Sequence, residues 1–297
     1  MIEKPQKTKF MNKKYLLIIL ACMFSTAYGQ TAEKDTSWKS GGFIGINFTQ
    51  VNLSQWSAGG ENSLSLASSA NLFSNYLKGK NDWQNSLDVG YAILKSGDAG
   101  IRKSDDKIDF TSKYGRKFSD KWLYSALVNF KSQFSNGYAY PDDSTVVSKL
   151  MSPGYLTTAI GFTYKPVDYF EVFISPTTGK FTFVTDQTLS NLGAYGVDSG
   201  KTVRSEFGAY LNMKFKKDIM ENITLTSKLE LFNNYTDKDK NNAKKIDVNF
   251  ENQINMKVNK YFTASILLVV VYDANVIERT QFKELIGVGF GYKFGKS

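Results

Sequence analysis

In the stretch Ile246–Val258 (IDVNFENQINMKV) every second side chain is apolar. Ile246, Val248, Phe250, Ile254, Met256 and Val258 share one parity, with Asn252 as the exception. Asp247, Asn249, Glu251, Gln253, Asn255 and Lys257 share the other. A period of two defines a strand with two unlike faces. The stretch is also too long for an ordinary soluble strand of about 5–6 residues. It suits a tilted strand crossing a bilayer, which needs roughly 9–11.

The same idea recurs along the chain. Alternation predicts strands over Gly42–Leu53, Ser63–Tyr76, Trp83–Leu94, Lys107–Phe118, Trp122–Phe134, Tyr155–Lys165, Tyr169–Val184, Arg204–Lys216, Ile223–Tyr235, Ile246–Val258, Tyr261–Asp273 and Phe282–Phe294. In the seventh, Ser175-Pro176-Thr177-Thr178-Gly179 reads as a bulge or a strand end, because Pro and Gly interrupt a ladder. The expected fold is all-β: one antiparallel up-and-down transmembrane β-barrel of about 12 strands. Connections after the even strands are short. Most of those after the odd strands are longer, with Lys95–Asp106, Asn136–Gly154 and Thr185–Val203 read as loops. Short turns belong on the periplasmic side of a Gram-negative outer membrane, which would place both termini there.

Period two alone does not say which face meets lipid. Aromatic residues crowd the short turns: Tyr76 and Trp83, Phe118 and Trp122, Tyr164 and Tyr169, Phe215, Tyr261 and Phe262. An interfacial girdle has that distribution. The polar faces carry mid-strand charges at Asp88, Lys131, Glu206, Lys228, Glu230, Asp247, Glu251 and Lys257. Facing lipid, a midplane Lys costs roughly 2–4 kcal/mol, so these eight residues are expected to line the lumen. Leu123 and Leu127 fall on the polar face of their strand. Closure is required, since an open edge in hydrocarbon leaves backbone groups unpaired.

The N-terminus reads as a signal peptide over residues 1–29, followed by a barrel domain over 30–297. Lys13 and Lys14 precede the apolar Tyr15–Phe24, and Ala27 and Gly29 suit a cleavage site. Met11 is an alternative start. Ile19-Leu20-Ala21-Cys22 offers a lipoprotein reading that leaves a short apolar core. Cleavage after Gly29 removes Cys22, the one cysteine, and lowers the net charge from +9 to +5. No Lys/Arg cluster points to nucleic acid. No apolar run is long enough for a transmembrane helix.

Histidine is absent. Imidazole is the usual acid–base group near neutral pH and the commonest metal ligand. Without it, and without a mature cysteine, neither catalysis, a cofactor nor a metal is expected. Asp142-Asp143 with Ser144 and Thr145 lacks metal-loop spacing and reads as an Asx-type turn. Asp105-Asp106 with Arg102 and Lys103 reads as a solvated loop cluster. Gly59-Gly60 suits a tight turn, and Ser175–Lys180 is no phosphate loop, because no helix follows. Tyr138 and Tyr140 could stack on a ligand or anchor the interface.

Several blocks carry a family resemblance: Trp56–Ser63 (WSAGGENS), Arg102–Phe110 (RKSDDKIDF), Phe130–Pro141 (FKSQFSNGYAYP), Met151–Tyr155 (MSPGY) and Ile174–Asp186 (ISPTTGKFTFVTD). Across nearly all of the mature chain, the sequence resembles the Bacteroidetes outer-membrane proteins known as domain of unknown function 3078. The resemblance implies an outer-membrane barrel and brings no catalytic residues. The C-terminal Gly289-Phe290-Gly291-Tyr292-Lys293-Phe294 resembles the signal read by the outer-membrane assembly machinery, apart from the trailing Gly295-Lys296-Ser297.

The function expected first is a narrow channel for passive passage of small solutes. The alternative is a non-conducting structural or interaction barrel, binding lipopolysaccharide or a protein partner of unknown identity through its loops. The inward charges are either a polar constriction or a packed plug of ion pairs, since twelve strands fall between side-chain-filled and water-filled barrels.

Overall fold

The structure, a computed structural model of the chain, describes residues 37–52, 62–237, 245–259 and 261–295. Residues 1–29, Cys22 among them, and Gly59-Gly60 lie outside the described residues. Fourteen strands follow in chain order: β1 (Trp38–Val51), β2 (Ser63–Lys78), β3 (Asn81–Ser96), β4 (Arg102–Lys117), β5 (Trp122–Ser132), β6 (Gly137–Tyr138), β7 (Val146–Ser148), β8 (Gly154–Val167), β9 (Phe170–Phe183), β10 (Val203–Met220), β11 (Ile223–Asn234), β12 (Ile246–Lys257), β13 (Phe262–Asp273) and β14 (Ile277–Gly295). Twelve of them close into an antiparallel barrel in the order β1-β14-β13-β12-β11-β10-β9-β8-β5-β4-β3-β2, and β6 and β7 form a separate hairpin.

The apolar parity looks outward. Ile44, Ile46, Phe48, Tyr124, Ile160, Phe162, Ile174, Phe207, Ile286 and Phe290 are all exposed. A surface of that kind is stable against lipid and not against water. Around the short-turn end the aromatics touch one another: Trp38 with Tyr76 and Trp83 (ring centroids 5.2 and 5.9 Å), Trp122 with Tyr164 (4.8 Å), Phe118 with Tyr124 (4.3 Å) and Phe262 with Phe290 (4.6 Å). The polar parity looks inward. Leu123 and Leu127, the misfits of β5, are buried there. Leu127 joins Ala159, Phe173, Tyr210 and Phe232 in an apolar arc along the inner wall of five consecutive strands.

Several expectations are corrected. The predicted loop Lys95–Asp106 is mostly strand, because β4 begins at Arg102. Asp105-Asp106 is therefore no solvated loop cluster. The Asp106 carboxylate accepts from the backbone N–H groups of Phe134 and Ser135 (2.7 and 2.8 Å) and pairs with Lys103 (3.1 Å). β9 runs unbroken from Phe170 to Phe183, and the Ser175–Thr178 segment enters it as a bulge against both neighbours. Thr185–Val203 is not irregular throughout. Asp186 caps a short helix α1 (Gln187–Asn191) by accepting from the Leu189 N–H, and a 3-10 turn covers Ala194–Gly196. Val184, Leu189 and Val197 bury a small core beneath it. The β13–β14 connection is as short as the turns at the other end. Asp142 does form an Asx-type turn, its Oδ1 accepting from the N–H groups of Ser144 and Thr145 (2.8 and 3.3 Å). Tyr140 carries the Arg102 guanidinium over its ring at 5.1 Å.

The ladders are unequal. β2 and β3 are in register over sixteen pairs, from Ser63↔Ser96 to Lys78↔Asn81. The closing pair, β1 with β14, has seven, from Gly41↔Gly295 to Asn47↔Gly289. Those seven are fitted closely: a Cβ on Gly289 would lie 2.0 Å from the Ile46 carbonyl oxygen. Above them, β14 from Ile277 to Val288 is laddered to β13 alone among the described residues.

Candidate functional site

The lumen is crossed by ion pairs. Lys228 on β11 reaches Asp88 on β3 at 2.8 Å, and Lys107 on β4 reaches Glu251 on β12 at 3.0 Å. Each of these strand pairs stands six places apart in a ring of twelve, so each bridge spans the barrel's full width. Shorter chords add to them. Lys131 (β5) pairs with Glu230 (β11), Lys113 (β4) with Glu171 (β9) at 2.8 Å, and Lys165 (β8) with Asp82 (β3) at 3.6 Å. Lys283 on β14 pairs with Asp105 on β4, passing behind β1, β2 and β3. The amides fill in between: Asn71 donates to Asp88 (2.9 Å), Gln84 to Glu171 (3.2 Å) and Asn249 to Glu230 (3.1 Å).

Higher on the long-loop side, Lys180 (β9) holds Asp247 (β12) at 2.7 Å and Asp273 (β13) at 3.2 Å, with Glu206 (β10) at 3.9 Å. Arg204 (β10) adds a 3.0 Å contact to Glu206. Lys180 Nζ also stands 5.2 Å above the Phe232 ring. That contact joins the buried Arg204 Nη2 and Glu206 Oε2 as an ion pair without hydrogen-bond geometry, and the buried Arg204 Nε has no hydrogen-bond partner among the described residues.

Two cavities lie within the barrel. One, of about 340 Å³ towards the long loops, is lined by Tyr155, Lys180, Tyr195, Tyr210, Phe232, Asp247, Asn249, Val271, Asp273, Val276 and Gln281. The other, of about 90 Å³ towards the short turns, is lined by Asn75, Gln84, Asn85, Lys113, Glu171, Asn212, Lys214 and Lys228. Glu230 borders both.

The segment 184–202 crosses the mouth of the larger cavity. Tyr195, in the left-handed region at φ 59°, donates its hydroxyl to the Val147 carbonyl (2.7 Å) on the β6–β7 hairpin. Gly196 accepts from Arg204, and a Cβ there would lie 2.5 Å from the Asn275 carbonyl oxygen in the β13–β14 turn. Lys149 pairs with Asp186 at the root of α1. Its hydrogen bond holds the Asp186 carboxyl below the usual range, and burial pushes the Tyr195 hydroxyl up.

Of the eight residues expected in the lumen, the structure brings seven into this network: Asp88, Lys131, Glu206, Lys228, Glu230, Asp247 and Glu251. Lys257 stands exposed at the short-turn end of β12 and joins no ion pair among the described residues. The partners Lys107, Lys113, Glu171, Lys180, Arg204, Asp273 and Lys283 were not singled out from sequence. Parity was a usable signal for Lys113 and Glu171. It fails at Lys180, because the bulge before it shifts the alternation.

The barrel is similar to an outer-membrane channel from Pseudomonas putida F1 (13% identical, covering 89% of this chain and 100% of that one, TM-score 0.40). It is similar too to the translocator domain of autotransporter NalP from Neisseria meningitidis (9%, 95% and 97%, TM-score 0.34) and to outer membrane phospholipase A from Escherichia coli (11%, 88% and 94%, TM-score 0.37). No curated protein matches the chain in sequence. The blocks at Met151–Tyr155 and Ile174–Asp186 fall beyond the one stretch that a family model covers: residues 48–138 match the family described as protein of unknown function (DUF3078).

Proposed function

We propose that this protein is an outer-membrane β-barrel closed along its axis at rest, acting through a chamber and loops on its long-loop side rather than as a passive pore. The apolar outer surface and the aromatic girdle at the short-turn end support the membrane setting and an orientation with short turns and termini in the periplasm. The long loops would then face lipopolysaccharide. Of the two functions open from sequence, this reading takes the non-conducting one.

The observation that carries it is the pair of bridges Lys228–Asp88 and Lys107–Glu251 across the full width of the lumen. Both bridges are half-buried, so parting one leaves two charges uncompensated inside the barrel at a cost below that of a fully buried pair. An axial path for solutes would require several such pairs to part together. The physical consequence is a floor under the 340 Å³ chamber.

Planar-bilayer recording tests this. The folded barrel should insert and give no sustained current, and Glu230→Gln with Glu251→Gln should introduce small, noisy openings. Steady ohmic steps from the unaltered protein would overturn the reading.

A further inference from the structure

The larger chamber has a floor of ion pairs and a roof formed by the 184–202 segment with Tyr195 and Gly196. Along the closing seam the ladder is short. Seven ladder pairs at a rise of roughly 3.3 Å run about 23 Å, and at a tilt of about 40° they cover about 18 Å of an apolar band about 25 Å tall. Above Asn47↔Gly289 the facing edges are Phe48–Val51 and Ile277–Val288, and no ladder joins them among the described residues. Their outward side chains are apolar: Phe48, Phe282, Ile286 and Val288 are each more than half exposed. An unpaired edge facing hydrocarbon is unfavourable unless something fills it. Glu284 shares the outward parity of Phe282 and Ile286 and is exposed, so a charge also stands on the lipid side of this stretch.

The start of β14 borders the chamber as well. Gln281 lines it, with Val276 of the β13–β14 turn and Val271 of β13. Behind the seam, Lys283 is tied to Asp105, a tether from β14 to β4 that bypasses β1.

We propose that the β1–β14 seam is a lateral entrance through which a small single-chain amphiphile passes between the membrane and the lumenal chamber. This rests on the axially closed barrel argued above. The chamber's size is in the range of small-molecule sites. Tyr155, Tyr210, Phe232 and Val271 offer an apolar wall, while Lys180 with Asp247 offers a polar end. The charges there are already paired, so a neutral head group adds hydrogen bonds to remaining lone pairs, whereas an ionic one would have to break a pair. The ligand class is therefore a short hydrocarbon chain with a hydroxyl-type head. The same edge groups that hydrocarbon leaves unpaired can bond that head during passage.

The experiment uses the full chain, with Cys22→Ser, in phosphatidylcholine nanodiscs. The probe is a ten-carbon alcohol carrying a diazirine, and labelled residues are mapped by mass spectrometry after photolysis. Labels are expected on lumenal Phe232 and Val271 as well as on outward Phe282 and Ile286. Phe48 and Val288 would be the next pair up the ladder, so Phe48→Cys with Val288→Cys places a disulfide across the seam. Oxidation should abolish the lumenal label and leave the outward one, and reduction should restore it. Label confined to the outside of the unaltered barrel overturns the proposal, and so does lumenal label that survives the cross-link. A disulfide joining two copies would assign the edge to a second chain and overturn it too. Absent lumenal label with absent conductance removes the seam entrance and leaves the closed barrel standing.

Discussion

The β2–β3 wall and the β14–β1 seam are built from the same alternation yet are held together differently. β2 and β3 share sixteen ladder pairs, whereas β14 and β1 share seven. Behind the β2–β3 wall, Asp88 is bridged to Lys228 from the opposite side, with side chains 14% and 30% exposed. Behind the seam, Lys283 and Asp105 are 39% and 17% exposed. The long-laddered wall thus carries the better shielded bridge, and the thin seam relies on a wetter one. Backbone pairing sets where the barrel is stiff, and lumenal charges brace the stiff part more than the weak one.

The largest effect is expected at the ion pairs of the lumen. Glu171→Gln would leave Lys113, whose side chain is 8% exposed, without its carboxylate. A loss of about 3–5 kcal/mol is expected in denaturant unfolding. Lys113→Met with Glu171→Leu should recover most of it. If the single change costs under about 1 kcal/mol, the cross-lumen pairs do not brace the barrel.

A second expectation concerns hydrogen exchange in bilayers. Amides of β2 and β3 should stay protected to the global limit, while those of Ile277–Val288 directed towards β1 should exchange freely and those bonded to β13 should not. Uniform protection along β14 would mean that the seam is paired after all. Lys283→Met, which unties the tether, should lower stability by no more than about 1 kcal/mol because the pair is partly exposed. It should nonetheless speed exchange across Phe48–Val51.

The smallest effect lies at the roof. Asp186→Ala removes a helix cap, worth about 0.5–2 kcal/mol locally, and should release the α1 segment to protease without unfolding the barrel. Because the folded carboxyl titrates below its ordinary value of about 3.9, the stability from Asp186 is fully present above that value. It is lost as pH falls through the lower folded one. Proteolysis of the segment should therefore stay slow at pH 5 and rise only in stronger acid.

How much was legible depended on the range of the interaction. Strand parity, outward apolar faces and the aromatic girdle are local patterns, and they survive into the structure at Ile246–Lys257, where Phe250 and Ile254 sit across β13 from Val270 and Ile266. Asn252, the exception on that outward face, is ladder-paired with Ser227 on one side and Leu268 on the other, so two polar side chains stand together there. Boundaries failed where local composition misleads. Arg102–Asp106 looks like a loop because it is charged, but its charges serve the lumen and the Phe134–Ser135 backbone. Lys180 was missed because a bulge resets parity just before it.

By itself, the sequence determined a twelve-stranded wall with an apolar outside and a charged inside. That follows because period-two alternation, turn chemistry and strand length are each written within a few residues of one another. Tertiary structure alone decided which charge meets which. Lys228 and Asp88 lie 140 residues apart, and Lys283 and Asp105 lie 178 apart, on strands that never share a ladder. It also decided where the wall is thin. Closure joins the first strand to the last, and the length of that junction depends on the stagger accumulated around the whole ring, a quantity that no local pattern contains.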